Sequence, residues 1–228
     1  MRPMHEQLLD SMRQERQRLT SRRDLLRNGA KLAGGGALAW TLLGQPAANL
    51  VSAQDDSEDD DMMTMDFEDD VAVLNYALTL EHLEYAFYRD GIGQFTYGAG
   101  PFNEDIDAYL VDIRDHEGAH VDTLTQVITD LGGTPVAEAT YDFGYTDAAS
   151  FLATAQALEN TGVMAYDGAG AAIMNPDLLT AAGTIVAVEA RHAAYLNLIN
   201  GETPFPAAYE TPASMEEILE IAGPFIVS

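Results

Sequence analysis

Residues 103–131 read NEDIDAYLVDIRDHEGAHVDTLTQVITDL, and the phase of that stretch decides the fold. Its apolar side chains fall at Ile106, Leu110, Ile113, Leu124, Val127 and Leu131, the three-and-four spacing of a helix with one buried stripe. Glu117 and His120 occupy two positions of the same stripe. The stretch opens on Asn103, a good N-cap followed by acids in the first turn, and ends before Gly132-Gly133. A second phase is also available. His116-Glu117-Gly118-Ala119-His120 is an H-E-x-x-H string, the zinc-peptidase pattern in which both histidines hold the metal and the glutamate is the base. The stripe pairs Glu117 with His120, whereas the peptidase pairs His116 with His120.

Working outward, three further runs carry the same period. The first spans about Asp66 to Asp90 with stripe Val71, Leu74, Leu78, Glu81, Tyr85, Tyr88, and Gly91 and Gly93 stop it. The third helix starts at Asp147 behind a Thr146 cap, with stripe Leu152, Ala155, Glu159, Gly162, Tyr166, Ala169, Ile173. Asn175-Pro176 closes it and opens the fourth, since proline suits a first helical position; its stripe is Leu178, Ala182, Ile185, Glu189, His192, Leu196, Ile199, ending near Gly201. The peptidase phase leaves Glu81, Glu159 and Glu189 buried without purpose. The second Glu-x-x-His, at Glu189 and His192, also has no histidine before it.

The link between the third and fourth helices is very short, which makes them antiparallel neighbours. Residues 132–146 form the longest connection and reach roughly 50 Å when extended, against about 43 Å for the second helix. Short, long, short is the connectivity of an all-α, antiparallel four-helix bundle with one long crossover between helices 2 and 3.

A buried carboxylate costs several kcal/mol, on the order of a whole core contact, unless it is paired or holds a metal. The four stripe glutamates face one core in a segment that has no lysine. Glu81 and Glu159 as single carboxylates, with Glu117–His120 and Glu189–His192 as pairs, form a six-ligand set for two metal ions. Glu159 lies 16 residues before Asn175 and Glu189 14 after it, so the two meet at nearly equal depth. Glu81 to Tyr88 and Glu159 to Tyr166 repeat at seven residues, as in a duplicated helix pair.

The strings LTLEHLEYAFY (78–88), HEGAH (116–120), LENTGVMAY (158–166) and VEARHAAYL (188–196) resemble the four helix cores of the ferritin-like superfamily, above all its exported ferritin-like domain proteins. The resemblance implies two iron ions, alternatively manganese, held by Glu81, Glu117, His120, Glu159, Glu189 and His192. Redox chemistry on dioxygen or peroxide is the expected function, of ferroxidase, peroxidase or manganese-catalase type. Tyr88 matches a tyrosine frequent in that superfamily and is a candidate beside the ligands. The alternative is a metal-free ferritin-like bundle serving as a structural or stress- and desiccation-related module. Glu84 reads as an acid beside the ligands or in solvent, and His82 as a surface or interhelix residue. Tyr85, Tyr88 and Tyr166 read as core aromatics, and Arg114 and Arg191 as ion-pair partners of acids near the site.

Charge bounds the rest. Eight of the eleven Lys and Arg lie in residues 1–53, leaving 33 acids against Arg89, Arg114 and Arg191 in the remainder. Such a chain stays hydrated at molar salt, where the Debye length is roughly 3 Å, so a halophilic source is expected. The acidity excludes nucleic acid as a partner. The absence of cysteine excludes disulfides and thiolate sites. Residues 20–27, Thr-Ser-Arg-Arg-Asp-Leu-Leu-Arg, precede a Gly-rich apolar run and Val51-Ser52-Ala53. They resemble a twin-arginine export signal over residues 1–53, with the export machinery as partner and the outer side of the membrane as destination, whether the signal is cleaved or kept as an anchor. Residues 54–65 read as an acidic disordered spacer, 66–200 as the bundle, and 201–228 as a tail with a short helix over Ala213 to Ile221. A second copy of the chain is among the expected partners, as a homo-oligomer.

Overall fold

The computed structural model describes Met65 and residues 67–227. The expected signal (1–53) and the spacer except Met65 lie outside the described residues; the first helix, expected from about Asp66, begins only at Asp70, because Asp69 caps it and residues 67–69 are not helical. Met65 itself is buried, packed with Val73 and Ala169.

Four long helices carry the architecture: α1 Asp70–Gly91, α2 Ile106–Asp130, α3 Ala148–Gly170 and α4 Pro176–Ile199, followed by a short α5, Met215–Ala222, and a 3-10 turn, Gly223–Phe225. No strand occurs among the described residues. Side-chain caps satisfy free N–H groups at the start of each of the five α-helices. Asp69 caps α1, and Asn175 caps α4 with Pro176 in the first turn, as its sequence requires. Two caps differ from expectation. The α2 cap is Asp105, because Asn103 sits in the left-handed region (φ 62°) within a turn closed onto Gly100. The α3 cap is Asp147, whose reciprocal bonds with Ser150 form a capping box, so Thr146 is not the cap. At the other end of α2, Leu131 is exposed and Ile128 fills its place in the core. The helix stops at Asp130, and Gly132 (φ 82°) turns the chain away.

The crossover follows α1 along its length. Asn75 bonds Thr134 and Val136, His82 meets the Val136 carbonyl, Arg89 pairs with Glu138, and Gln94 reaches Tyr145. Asp70 at the start of α1 accepts from the backbone of Met174 and Asn175 at the α3–α4 turn, while Gly91 at its end abuts Phe151 at the start of α3. Helices α1 and α3 are therefore antiparallel, as the crossover demands. The tail closes back on this connection through Asp142 to Phe225 and Val227 to Thr140.

The apolar interior falls into two halves. One gathers Phe87, Tyr88, Leu110, Phe151 and Leu196; the other gathers Leu74, Leu78, Leu124, Ile128 and Ile185. Each such side chain contributes roughly 1.5–3 kcal/mol on burial. Between the halves, along every long helix, lies a layer of fully buried glutamates.

Candidate metal centre

Glu81, Glu117, Glu159 and Glu189 are each 0% exposed, and His192 is 5% exposed. All stand at stripe positions in helix interiors, so the apolar neighbours that bury the helices bury the acids with them. His120 is slightly more open, its side chain 12% exposed. Two constellations result, each with its donor atoms within 4.8 Å of one another: Glu81, Glu117, His120 and Glu189, and then Glu117, Glu159, Glu189 and His192. All six sequence-predicted ligand residues are brought together. Glu117 and Glu189 belong to both groups. His116 belongs to neither, which removes the geometric basis of the peptidase phase.

The carboxylate oxygens outnumber the protons available to them. His192 Nδ1 lies 2.9 Å from Glu117 Oε1 and 3.1 Å from Glu159 Oε2, and its hydrogen aligns with the latter. His120 Nδ1 is 3.1 Å from Glu81 Oε2, 3.2 Å from Glu117 Oε2 and 3.1 Å from Glu189 Oε1. Glu117 Oε1 and both oxygens of Glu189 are left buried without a hydrogen-bond partner. A buried acceptor in that condition costs about 1–3 kcal/mol, more when charged. Shared donors that are unsatisfied by protein suit a cation.

Burial and the neighbouring carboxylates push Glu117 up to about 7 and Glu189 well above the ordinary carboxylate range. Burial opposes protonation of the imidazoles, but the hydrogen bonds to glutamate outweigh it, raising His192 to about 10 and His120 to about 12. Protons thus occupy the space where cations would sit, and ligand binding by a metal displaces them.

Three neighbours complete the site. Tyr88 donates to Glu159 Oε1 at 2.7 Å, and Tyr166 donates to Glu81 Oε1. Glu84 is not solvated: it is 3% exposed, with burial first and Glu189 next raising its pKa well above normal. Its room comes from Gly162, where a Cβ would stand 2.9 Å from Glu84 Oε1. The sequence signal for this was a second glutamate one turn after Glu81 facing a glycine in the α3 stripe. Likewise, a Cβ at Gly118 would stand 3.2 Å from the Tyr85 ring, so the glycine of HEGAH seats that tyrosine.

The arginines depart from expectation. Arg114 pairs with its exposed neighbour Asp115, and Arg191 makes no ion pair among the described residues. Instead Arg191 lines an open cavity of about 300 Å³ with His116, Ala119, His120, Val188 and His192, which reaches the two imidazoles from outside while the glutamates stay fully buried. The side chains point outward because both arginines sit off the stripe. No helix of the described residues is long and apolar enough to cross a membrane.

A family model described as "Ferritin-like domain" matches residues 69–202. Among solved structures, a conserved hypothetical protein from Mycobacterium tuberculosis aligns with a TM-score of 0.50 and 23% identity, over 60% of this chain and 94% of that one. At that identity the likeness speaks for the fold alone. No curated protein matches the chain.

Proposed function

This chain belongs to the ferritin-like domain family, and from that premise we propose that its core binds two transition-metal ions, iron with manganese as the alternative, for redox chemistry on dioxygen or peroxide. The observation that carries the reading is the sharing of Glu117 and Glu189 between two four-residue donor groups, with three of their buried oxygens given no hydrogen bond by the protein. Hard carboxylate oxygens with one imidazole per position favour iron or manganese over softer ions. Such a metal pair, when bound, supplies electrons to, or accepts them from, a small oxygen species.

The chain's own residues set the conditions for that chemistry. Glu117 and Glu189 would span both positions; Glu81 with His120, and Glu159 with His192, would complete one position each. The apolar halves flank the acidic layer, and solvent approaches it only as far as the two imidazoles, from the open cavity by His116 and Arg191. Tyr88 and Tyr166 hold one oxygen of each terminal glutamate, which fixes the other toward its histidine. Iron oxidation or peroxide removal outside the membrane fits this arrangement together with the twin-arginine-like segment. The acidity of the bundle supports a halophilic setting.

Elemental analysis of protein purified without chelator tests the reading. About two iron or manganese ions per chain are expected, falling toward none in Glu117→Ala and Glu189→Ala. A single zinc ion, retained in Glu81→Ala and Glu159→Ala, would sink it.

A further inference from the structure

The repeat that relates α1–α2 to α3–α4 matches Glu117 with Glu189 and His120 with His192, so the counterpart of His116 is Val188. That difference gives the two histidines unequal support. His192 turns Nδ1 inward to Glu117 and Glu159 and Nε2 outward, where His116 Nδ1 lies 3.0 Å away. The two ring planes are 5° apart with centroids separated by 5.2 Å, so the imidazoles meet edge to edge, as an in-plane N–H···N bond requires. His120 also turns Nδ1 inward, but its Nε2 has no protein partner among the described residues and opens on the cavity that Val188 lines. A valine cannot accept its hydrogen.

We propose that His116 is a positioning residue for His192, and that it makes the two metal positions unequal. By accepting the His192 Nε2–H at its own Nδ1, His116 fixes the tautomer that leaves His192 Nδ1 free to ligate, and it holds the ring plane. The position built from Glu117, Glu159, Glu189 and His192 then fills first and keeps its ion. The position built from Glu81, Glu117, Glu189 and His120 is the exchangeable one, its histidine being the more exposed of the two, 12% against 6%. The inference rests on the two-metal reading above and adds an order to it. It also gives the first histidine of HEGAH a role outside peptidase chemistry.

Anaerobic titration of the metal-free full chain with cobalt(II), followed by visible absorption, tests it. The wild type should bind two cobalt ions in two resolved steps. His116→Ala should weaken the first step about 10–100-fold and leave the second within about twofold. His116→Asn, whose Oδ1 accepts the same hydrogen, should recover the first step to within about threefold. Val188→His, which offers His120 the missing acceptor, should tighten the second step. Proton spectra of the cobalt form of the wild type should show one slowly exchanging ligand N–H, from His192, and that signal is expected to vanish in His116→Ala. If His116→Ala fails to fold, the Val188→His titration and the wild-type N–H signal still decide. Two equivalent steps in the wild type, or equal weakening of both in His116→Ala without rescue by asparagine, would overturn the inference alone. A wild type that takes up no cobalt would remove its premise and the functional reading with it.

Discussion

Tyr88 lies two turns beyond Glu81 on α1, yet its hydroxyl donates to Glu159 on α3, 2.7 Å away. Tyr166, placed identically after Glu159, donates back to Glu81. Because α1 and α3 run antiparallel, each tyrosine crosses to the other helix's glutamate. In both cases the phenol takes Oε1 and leaves Oε2 facing a histidine, Glu81 toward His120 and Glu159 toward His192. Burial first, and the adjacent glutamates next, raise both phenols well above their usual range, which keeps them donors.

This exchange predicts which metal position each tyrosine serves. Tyr88→Phe should lower affinity at the His192 position and Tyr166→Phe at the His120 position. Each should also destabilise the metal-free fold by about 1–3 kcal/mol, since a buried carboxylate oxygen loses its donor. Cobalt titration and thermal unfolding of both variants check it. Loss at the same position in both variants would contradict the crossed geometry.

Glu159 separates a metal-organised core from an ordinary one. Glu159→Gln keeps the volume and removes one of four fully buried carboxylates, so the metal-free bundle should melt higher while metal affinity falls. Thermal unfolding at molar salt, with and without iron, reads both effects. Equal melting shifts in every condition would withdraw Glu159 from the ligand set.

The buried acidic layer was legible because a charged residue in a three-and-four stripe is conspicuous: Glu81, Glu117, Glu159 and Glu189 each interrupt an otherwise apolar seam, and all four are fully buried. The crossover was legible from its length. Caps were less so, since Asn103 and Asp105 are both good N-cap types, and only the turn at Gly100 decides between them. For Glu84 the sequence left two places open, beside the ligands or in solvent, because its burial depends on the absence of a side chain at Gly162, 78 residues away in sequence. The His116–His192 contact was hidden for the same reason. Periodicity sorts residues by face within one helix and does not pair them across helices.

The N-terminal reading carries its own test. If Arg22 and Arg23 form a twin-arginine signal, replacing both by lysine should stop export, with the folded bundle accumulating inside the cell. Full recovery of the double variant outside would reject the assignment.

The pH dependence of the metal-free protein should run opposite to that of the loaded one. Glu117 is raised by burial and by Glu159 to about 7, and Glu84 and Glu189 are raised well above the ordinary range. An acid whose folded pKa exceeds its unfolded value binds more protons when folded, so its contribution is complete below about pH 4.5 and is lost as pH rises through the folded value. For Glu117 alone this amounts to on the order of 3 kcal/mol. The contributions of His192 and His120, held at about 10 and about 12, begin to fall above their unfolded value near 6.5 and are fully lost only at those higher values. Metal-free protein should therefore melt lower at pH 8 than at pH 5. With metal present the sign reverses over the same window, because ligation requires the carboxylates ionised and each imidazole Nδ1 free of its proton. Molar salt is the proper medium, since it screens the acidic surface and leaves the buried layer as the main titrating element. The measurement is thermal unfolding from pH 5 to 8, in chelator and with anaerobic iron(II). A metal-free protein more stable at pH 8 than at pH 5 would mean that the buried glutamates are ionised without metal, and the core would then need another source of compensating charge.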